Sequence, residues 1–328
     1  MLPRLIQGGM GAGVSSWALA REVACQGQLG VVSGTALDTI FIRRLLGGDP
    51  GGHMRRAIDA FPFRDFAQRV VQRYLQPAGA ERAATHAPRR AARRTARRFP
   101  HLSLPSAGMT RERELLLMLA NFAEVHLAKA DHNGVVGINY LHKIQLPILP
   151  SLYGAILAGV DVVLIGAGIP ADIPEALDRL VERRPAKIVL DLLDGGAERH
   201  ELSFDPARVW DEEAPAVDPP PLRRPQFLAI ISSVTLGRAL LKKAPGGVDG
   251  FVVEMPSAGG HNAPPRGPTQ LSREGEPIYG PRDEVDLADL AALGVPFWLA
   301  GGYASPRQFR AALAAGAHGV QIGTAFAF

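Results

Sequence analysis

The chain has 328 residues, enough for one large α/β domain or two ordinary ones, and 47% of them are hydrophobic, ample for a large core. Its 36 Lys and Arg against 32 Asp and Glu leave a net charge of only +4, which excludes a chain basic throughout for nucleic-acid binding. One cysteine, Cys25, excludes an internal disulfide and argues against a cysteine-built metal site, so no metal is expected.

In chain order, the first strand is read at about Leu5 to Gly8. A helix follows from Ser15 or Ser16, with Trp17, Ala20, Val23 and Ala24 at helical spacing and Cys25 read as a packing residue in the same pattern. Leu29–Ser33 is the second strand, and Val135–Asn139 the third. Asp161–Ile165 is the fourth, with a helix starting near Asp172 and carrying Pro174 in its first turn. Phe227–Ile231, Phe251–Glu254, Phe297–Ala300 and Val320–Ile322 complete the set. Short buried strands alternating with helices argue for a parallel sheet, and eight of them argue for closure as a (β/α)8 TIM barrel of the α/β class. We read residues 1–328 as a single domain.

Two insertions are expected. The first spans about 36–133 and is helical, with residues 36–75 mostly helix and a long helix over Glu112–Lys129. Between these lies a tract holding Arg82, Arg89, Arg90, Arg93, Arg94, Arg97 and Arg98. Such a run suits RNA or an anionic carrier protein, but it lacks aromatics for base stacking, and a solvated loop explains it as well. The second insertion, about 187–224, pairs Lys187–Leu192 with Glu201–Phe204 as a hairpin before the fifth barrel strand. The last barrel helix is expected to be missing after Phe328, with the chain truncated or a partner covering that face. No basic segment followed by a long apolar run opens the chain, and no run of about 18 apolar residues occurs. Neither signal peptide nor membrane span is expected, and the simplest setting is the cytoplasm. Oligomeric state stays open, a homo-oligomer included.

The C-terminal strands carry the chemistry. Ala300 runs into Gly301-Gly302, and Ile322 into Gly323-Thr324, with a helix between that starts at Ser305-Pro306 and has Gln308 in a capping box. Glycines allow close backbone approach, and free amides with a helix N-terminus attract an anion. This is a phosphate cradle, or else an ordinary βαβ connection with glycine turns. His261 follows a strand end and Gly259-Gly260, on the barrel face where active sites sit. That position suits an acid, a base or an anion-stabilising group. Ser232 and Ser233, at the end of the fifth strand, suit either a ligand contact or a helix cap.

The segments Gln7-Gly8-Gly9-Met10-Gly11, Ala258-Gly259-Gly260-His261, Ala300-Gly301-Gly302 and Gln321-Ile322-Gly323-Thr324-Ala325-Phe326 occur in this order. In this the chain resembles the nitronate monooxygenase family, formerly 2-nitropropane dioxygenase, whose members are FMN-dependent barrel enzymes similar to flavin-dependent enoyl reductases. The resemblance implies FMN as cofactor and oxidation of nitronates or nitroalkanes with molecular oxygen, with His261 catalytic. It implies that Gly9, Met10 and Gly11 pass near the flavin ring and that Asn139, at the end of the third strand, bonds the ring edge. Lys143 stands near the pyrimidine end or on the surface. The cofactor set is Gly9, Met10, Gly11, Asn139, Lys143, Gly259, Gly260, Gly301, Gly302, Gly323 and Thr324.

Where many relatives have Gly-Gly-His-Arg-Gly, this chain has Gly260-His261-Asn262-Ala263-Pro264-Pro265-Arg266-Gly267, with the arginine moved outward. That departure keeps two alternatives open. One is an enoyl reductase using NADH or NADPH on carrier-bound acyl chains. The other is a non-catalytic barrel binding a ligand or RNA. The stretch Pro268–Glu284 reads as a lid.

Overall fold

A computed structural model describes residues 2–75, 102, 105–106, 108–191, 200–259 and 263–327. The strands are β1 (Leu5–Gln7), β2 (Leu29–Ser33), β3 (Val136–Leu141), β4 (Val162–Gly166), β5 (Ala186–Val189), β6 (Glu201–Phe204), β7 (Gln226–Ile231), β8 (Gly250–Glu254), β9 (Phe297–Ala300) and β10 (Gly319–Ile322). Eight of them close into a parallel barrel in the order β1-β10-β9-β8-β7-β4-β3-β2. β5 and β6 stand outside it as an antiparallel pair, Ala186 opposite Phe204 and Val189 opposite Glu201, which is the expected inserted hairpin.

The barrel strands are apolar on both faces because both are covered. Ile6, Leu29, Val31, Val162, Leu164, Leu228, Val252, Trp298 and Ala300 fill the lumen as one cluster. The opposite faces pack on the surrounding helices. The insertion after β2 folds as the helices Leu37–Leu46, His53–Ala60, Arg64–Tyr74 and Arg111–Ala128. Thr110 caps the last of these, its side chain accepting from the Arg113 amide. The arginine tract of residues 82–98 lies outside the described residues.

Two local expectations change, at Cys25 and Asn139. Cys25 is exposed, because the helix Trp17–Cys25 buries Ala20, Val23 and Ala24 and the next residue turns away from that face. Asn139 is not the end of its strand, since Tyr140 and Leu141 still pair with Ile165 and Gly166 of β4. Ser16 occupies the N-cap of the first helix without a side-chain bond. Glu124, on the helix Arg111–Ala128, accepts from the Trp17 amide at 2.9 Å instead. It also pairs with Arg44. Burial pushes the Glu124 carboxyl up from the ordinary range, and Arg44 pulls it back only in part.

No helix among the described residues is long and apolar enough to cross a membrane. The last described element is a single turn of 3-10 helix, Thr324–Phe326.

Candidate functional site

All eight barrel strands run the same way, so their C-terminal ends meet at one mouth. A cavity of about 1070 Å³ opens there. Of the residues singled out in the sequence, Gly9, Met10, Gly11, Asn139, Lys143, Gly259, Gly301, Gly302, Gly323 and Thr324 all line it. Gly260 and His261 lie outside the described residues, although Gly259 and Ala263 on either side of them line the cavity.

The loop after β1 is held by two buried side chains. Gln7 Nε2 donates to Gly8 O at 2.6 Å and to Ser15 Oγ at 3.0 Å, and Gln7 Oε1 accepts from the Val31 amide at 3.0 Å. Ser15 Oγ in turn accepts from the Met10 amide at 2.9 Å. Gly9 lies hard against Asn139. A Cβ added there would fall 1.7 Å from Asn139 Oδ1. That oxygen is buried and has no partner among the described residues, as is true of Ser33 Oγ on the neighbouring strand. A buried acceptor without a donor is costly unless a ligand or water supplies one.

On the far wall, Gly301 and Gly302 take φ of 113° and 75°, a region that suits glycine. A Cβ on Gly301 would meet the Ala258 amide nitrogen at 2.7 Å. The Ser257 hydroxyl donates to Gly301 O at 3.3 Å and ties the β8 and β9 loops together. Among the described residues none accepts a hydrogen bond from the amides of Gly302 or Thr324. Gly323 is different, with φ of −110° and room for a Cβ at 3.5 Å from Met10 Cγ. The helix Pro306–Ala314 begins beyond, with Ser305 Oγ accepting from the Gln308 amide at 3.3 Å, as its sequence predicts. Its hydroxyl donates to Gln308 Oε1 at 2.5 Å.

The two serines after β7 divide their roles. Ser232 lines the cavity, and Ser233 caps the helix Val234–Lys243 through the Leu236 amide at 3.2 Å. Arg266 does not reach for a ligand. Its guanidinium donates to Arg282 O at 2.6 Å and Ser232 O at 2.9 Å, and its amide donates to Asp283 at 2.8 Å. Arg266 thus ties the segment around Arg282 and Asp283 to Ser232, beyond the end of β7.

Sequence reasoning passed over Glu254, read only as a strand terminus. It is the last residue of β8 and lines the cavity. Burial raises its carboxyl to about 7. Barrel closure reveals it: with Val252 in the lumen, residue 254 shares that inward face.

Residues 224–328 match the family model for nitronate monooxygenase, so the resemblance carried by the glycine motifs holds over the strands that build the proposed cradle. No curated protein matches the chain. Similar solved structures include FabK from Thermotoga maritima, 15% identical with a TM-score of 0.44. Nitroalkane oxidase from Streptomyces ansochromogenes is 17% identical with a TM-score of 0.45. The enoyl reductase domain of MlnA from Bacillus amyloliquefaciens is 11% identical with a TM-score of 0.40. The matches cover 99% of this chain and 59%, 66% and 54% of those chains respectively, so this chain spans less than two thirds of their length.

Proposed function

We propose that this chain, which carries the nitronate monooxygenase signature over residues 224–328, is an FMN-dependent oxidoreductase that oxidises nitronates or nitroalkanes with molecular oxygen. The observation that supports it best is the convergence of the glycine motifs on one cavity with an unpartnered Asn139 oxygen. In this reading Gly301, Gly302, Gly323 and Thr324 hold the phosphate. Gly9, Met10 and Gly11 flank the ring, and Asn139 Oδ1 accepts a ring N–H. Lys143 and Gly259 complete the wall among the described residues, and Gly260 is assigned to the cofactor set on the sequence motif alone. Bound FMN supplies the two-electron acceptor; the protein supplies orientation and electrostatics.

His261 is the proposed base. It takes the α-proton of a neutral nitroalkane or holds the nitronate anion. His261→Ala should retain flavin and slow oxidation of the nitroalkane by ~100-fold to 10,000-fold, with a smaller effect on the preformed nitronate. Stopped-flow reduction with both forms checks this; wild-type rates for both would remove His261 from the mechanism.

A second reading, an enoyl reductase using NADH or NADPH on carrier-bound acyl chains, draws on Arg266. Its guanidinium is committed to two carbonyls and offers no partner to an anionic nitronate. Chromatography of the released cofactor tests the shared premise: FMN is expected, and FAD or a folded protein unable to take up flavin would overturn both. Anaerobic reduction then separates them. Bleaching by nitronate without nicotinamide supports the first, and bleaching by NADH or NADPH alone supports the second.

A further inference from the structure

We propose that Glu254 binds the ligand as a neutral acid, donating a hydrogen bond from the floor of the cavity to an acceptor on bound FMN, an inference that rests on the flavin reading above.

The geometry comes first. Side chains two apart on a strand share a face. Val252 belongs to the lumen cluster, so Glu254 points inward as well, one layer nearer the mouth. Its register partner on β9 is Ala300, itself in the lumen cluster and immediately before Gly301-Gly302. Its side chain therefore stands beside the proposed phosphate end, where Ala300 leaves room.

The surroundings favour its neutral form. Among the described residues no cation pairs with Glu254, and none donates a hydrogen bond to it. Among the described residues the other titratable side chains lining the cavity are Lys143, from the loop after β3, and Tyr303, from the loop after β9, whose hydroxyl is raised by burial; His261, the proposed base, lies outside them. The ends of β1, β2, β4, β7 and β10 contribute no titratable group to the described lining. An unpartnered carboxyl taken out of water favours its neutral form, and this one lies at about 7. A dianionic ligand arriving next to it removes more water and adds negative charge, and both effects raise the carboxyl further. The neutral acid is then an O–H donor, which a carboxylate is not.

Linkage fixes the sign. The group is raised further on binding, so affinity is full below about 7 and falls as pH rises through that value. Above it, each pH unit weakens binding by up to about tenfold, until the pKa of the bound state is reached.

The test is titration of apoprotein with FMN, by quenching of flavin fluorescence, between pH 7 and 8.5. The phosphate's second ionisation, near ~6, is complete across that range. The wild type should weaken by about tenfold over it. E254Q, which keeps a donor but cannot ionise, should hold a constant affinity and bind more tightly than the wild type at the upper end. Calorimetry of the wild type at pH 8, in two buffers of different ionisation enthalpy, should register proton uptake, and this needs no variant to fold. Equal pH slopes in the wild type and E254Q, or no proton uptake, would overturn the role of Glu254 alone. Failure of the wild type to bind FMN at any pH would overturn the flavin reading and this inference with it.

Discussion

The wall of the barrel at β2 and β3 is backed by the helix Arg111–Ala128, which buries thirteen of its eighteen residues against several neighbours. The wall at β9 and β10 is backed by Pro306–Ala314, which buries Ala312 alone. The first wall is thick and apolar, with Phe122 set edge-on to Phe61 at 5.2 Å between centroids. The second is thin, and its strands end in the glycines that line the cavity. Packing is thus concentrated on the first wall and the proposed phosphate contacts on the second, while Asn139 of β3 reaches the same cavity from the first. Each should respond to its own substitutions.

The largest effect should come from the thick wall. Phe122→Ala should cost about 3–5 kcal/mol, and the half-buried Phe309→Ala on the thin wall about 1–2 kcal/mol. Urea unfolding measures both. Equal losses would mean that burial does not separate the two walls energetically.

Next is Glu124. Removing the carboxylate leaves the Trp17 amide uncapped and Arg44 unpaired. Glu124→Ala should cost on the order of 2 kcal/mol, below the range for a fully buried pair because Arg44 reaches solvent. Glu124→Gln keeps an acceptor and should cost less. A Gln variant as unstable as the Ala variant would show that charge, not the cap, is what matters.

On the thin wall the two glycine turns should differ from each other. Gly302→Val places a β-branched residue at φ of 75° and should weaken FMN binding by at least about tenfold, since strain there is about 1–3 kcal/mol. Gly323→Val meets only Met10 Cγ, at 3.5 Å from the new Cβ, and should weaken binding less. Flavin titration decides; the reverse order would move the phosphate toward β10.

The smallest effect is expected from Arg266→Ala. It frees the loop from Ser232 and Arg282 but exposes little new apolar surface. Stability should fall by less than about 1 kcal/mol, while proteolysis between residues 266 and 284 should accelerate. Unchanged cleavage would show that Arg266 does not restrain the loop.

Much of this was legible in the chain itself. Short, mostly apolar runs of three to five residues marked the barrel strands, and Ser305-Pro306 with Gln308 marked a helix start, because these are local relations. The hairpin was legible because Phe227–Ile231 was already needed as a barrel strand. What escaped were relations across the sequence. Glu124 and Trp17 are 107 residues apart, and no local pattern joins a mid-helix glutamate to a distant helix start. Glu254 was hidden differently. Its neighbours suggested a strand end, and only closure of the barrel shows that its face is the lumen. Cys25 was misplaced because one helical step separates a buried face from an exposed one.

The suspension of residues 8–15 from Gln7 and Ser15 has a consequence in time rather than in energy. A loop already fixed to buried side chains has lost its freedom during folding, so a ligand meets a finished surface. Arrival on that side of the cavity need not wait for rearrangement. Differences in affinity among related ligands should then appear in how long each one stays, with little change in how often it is captured.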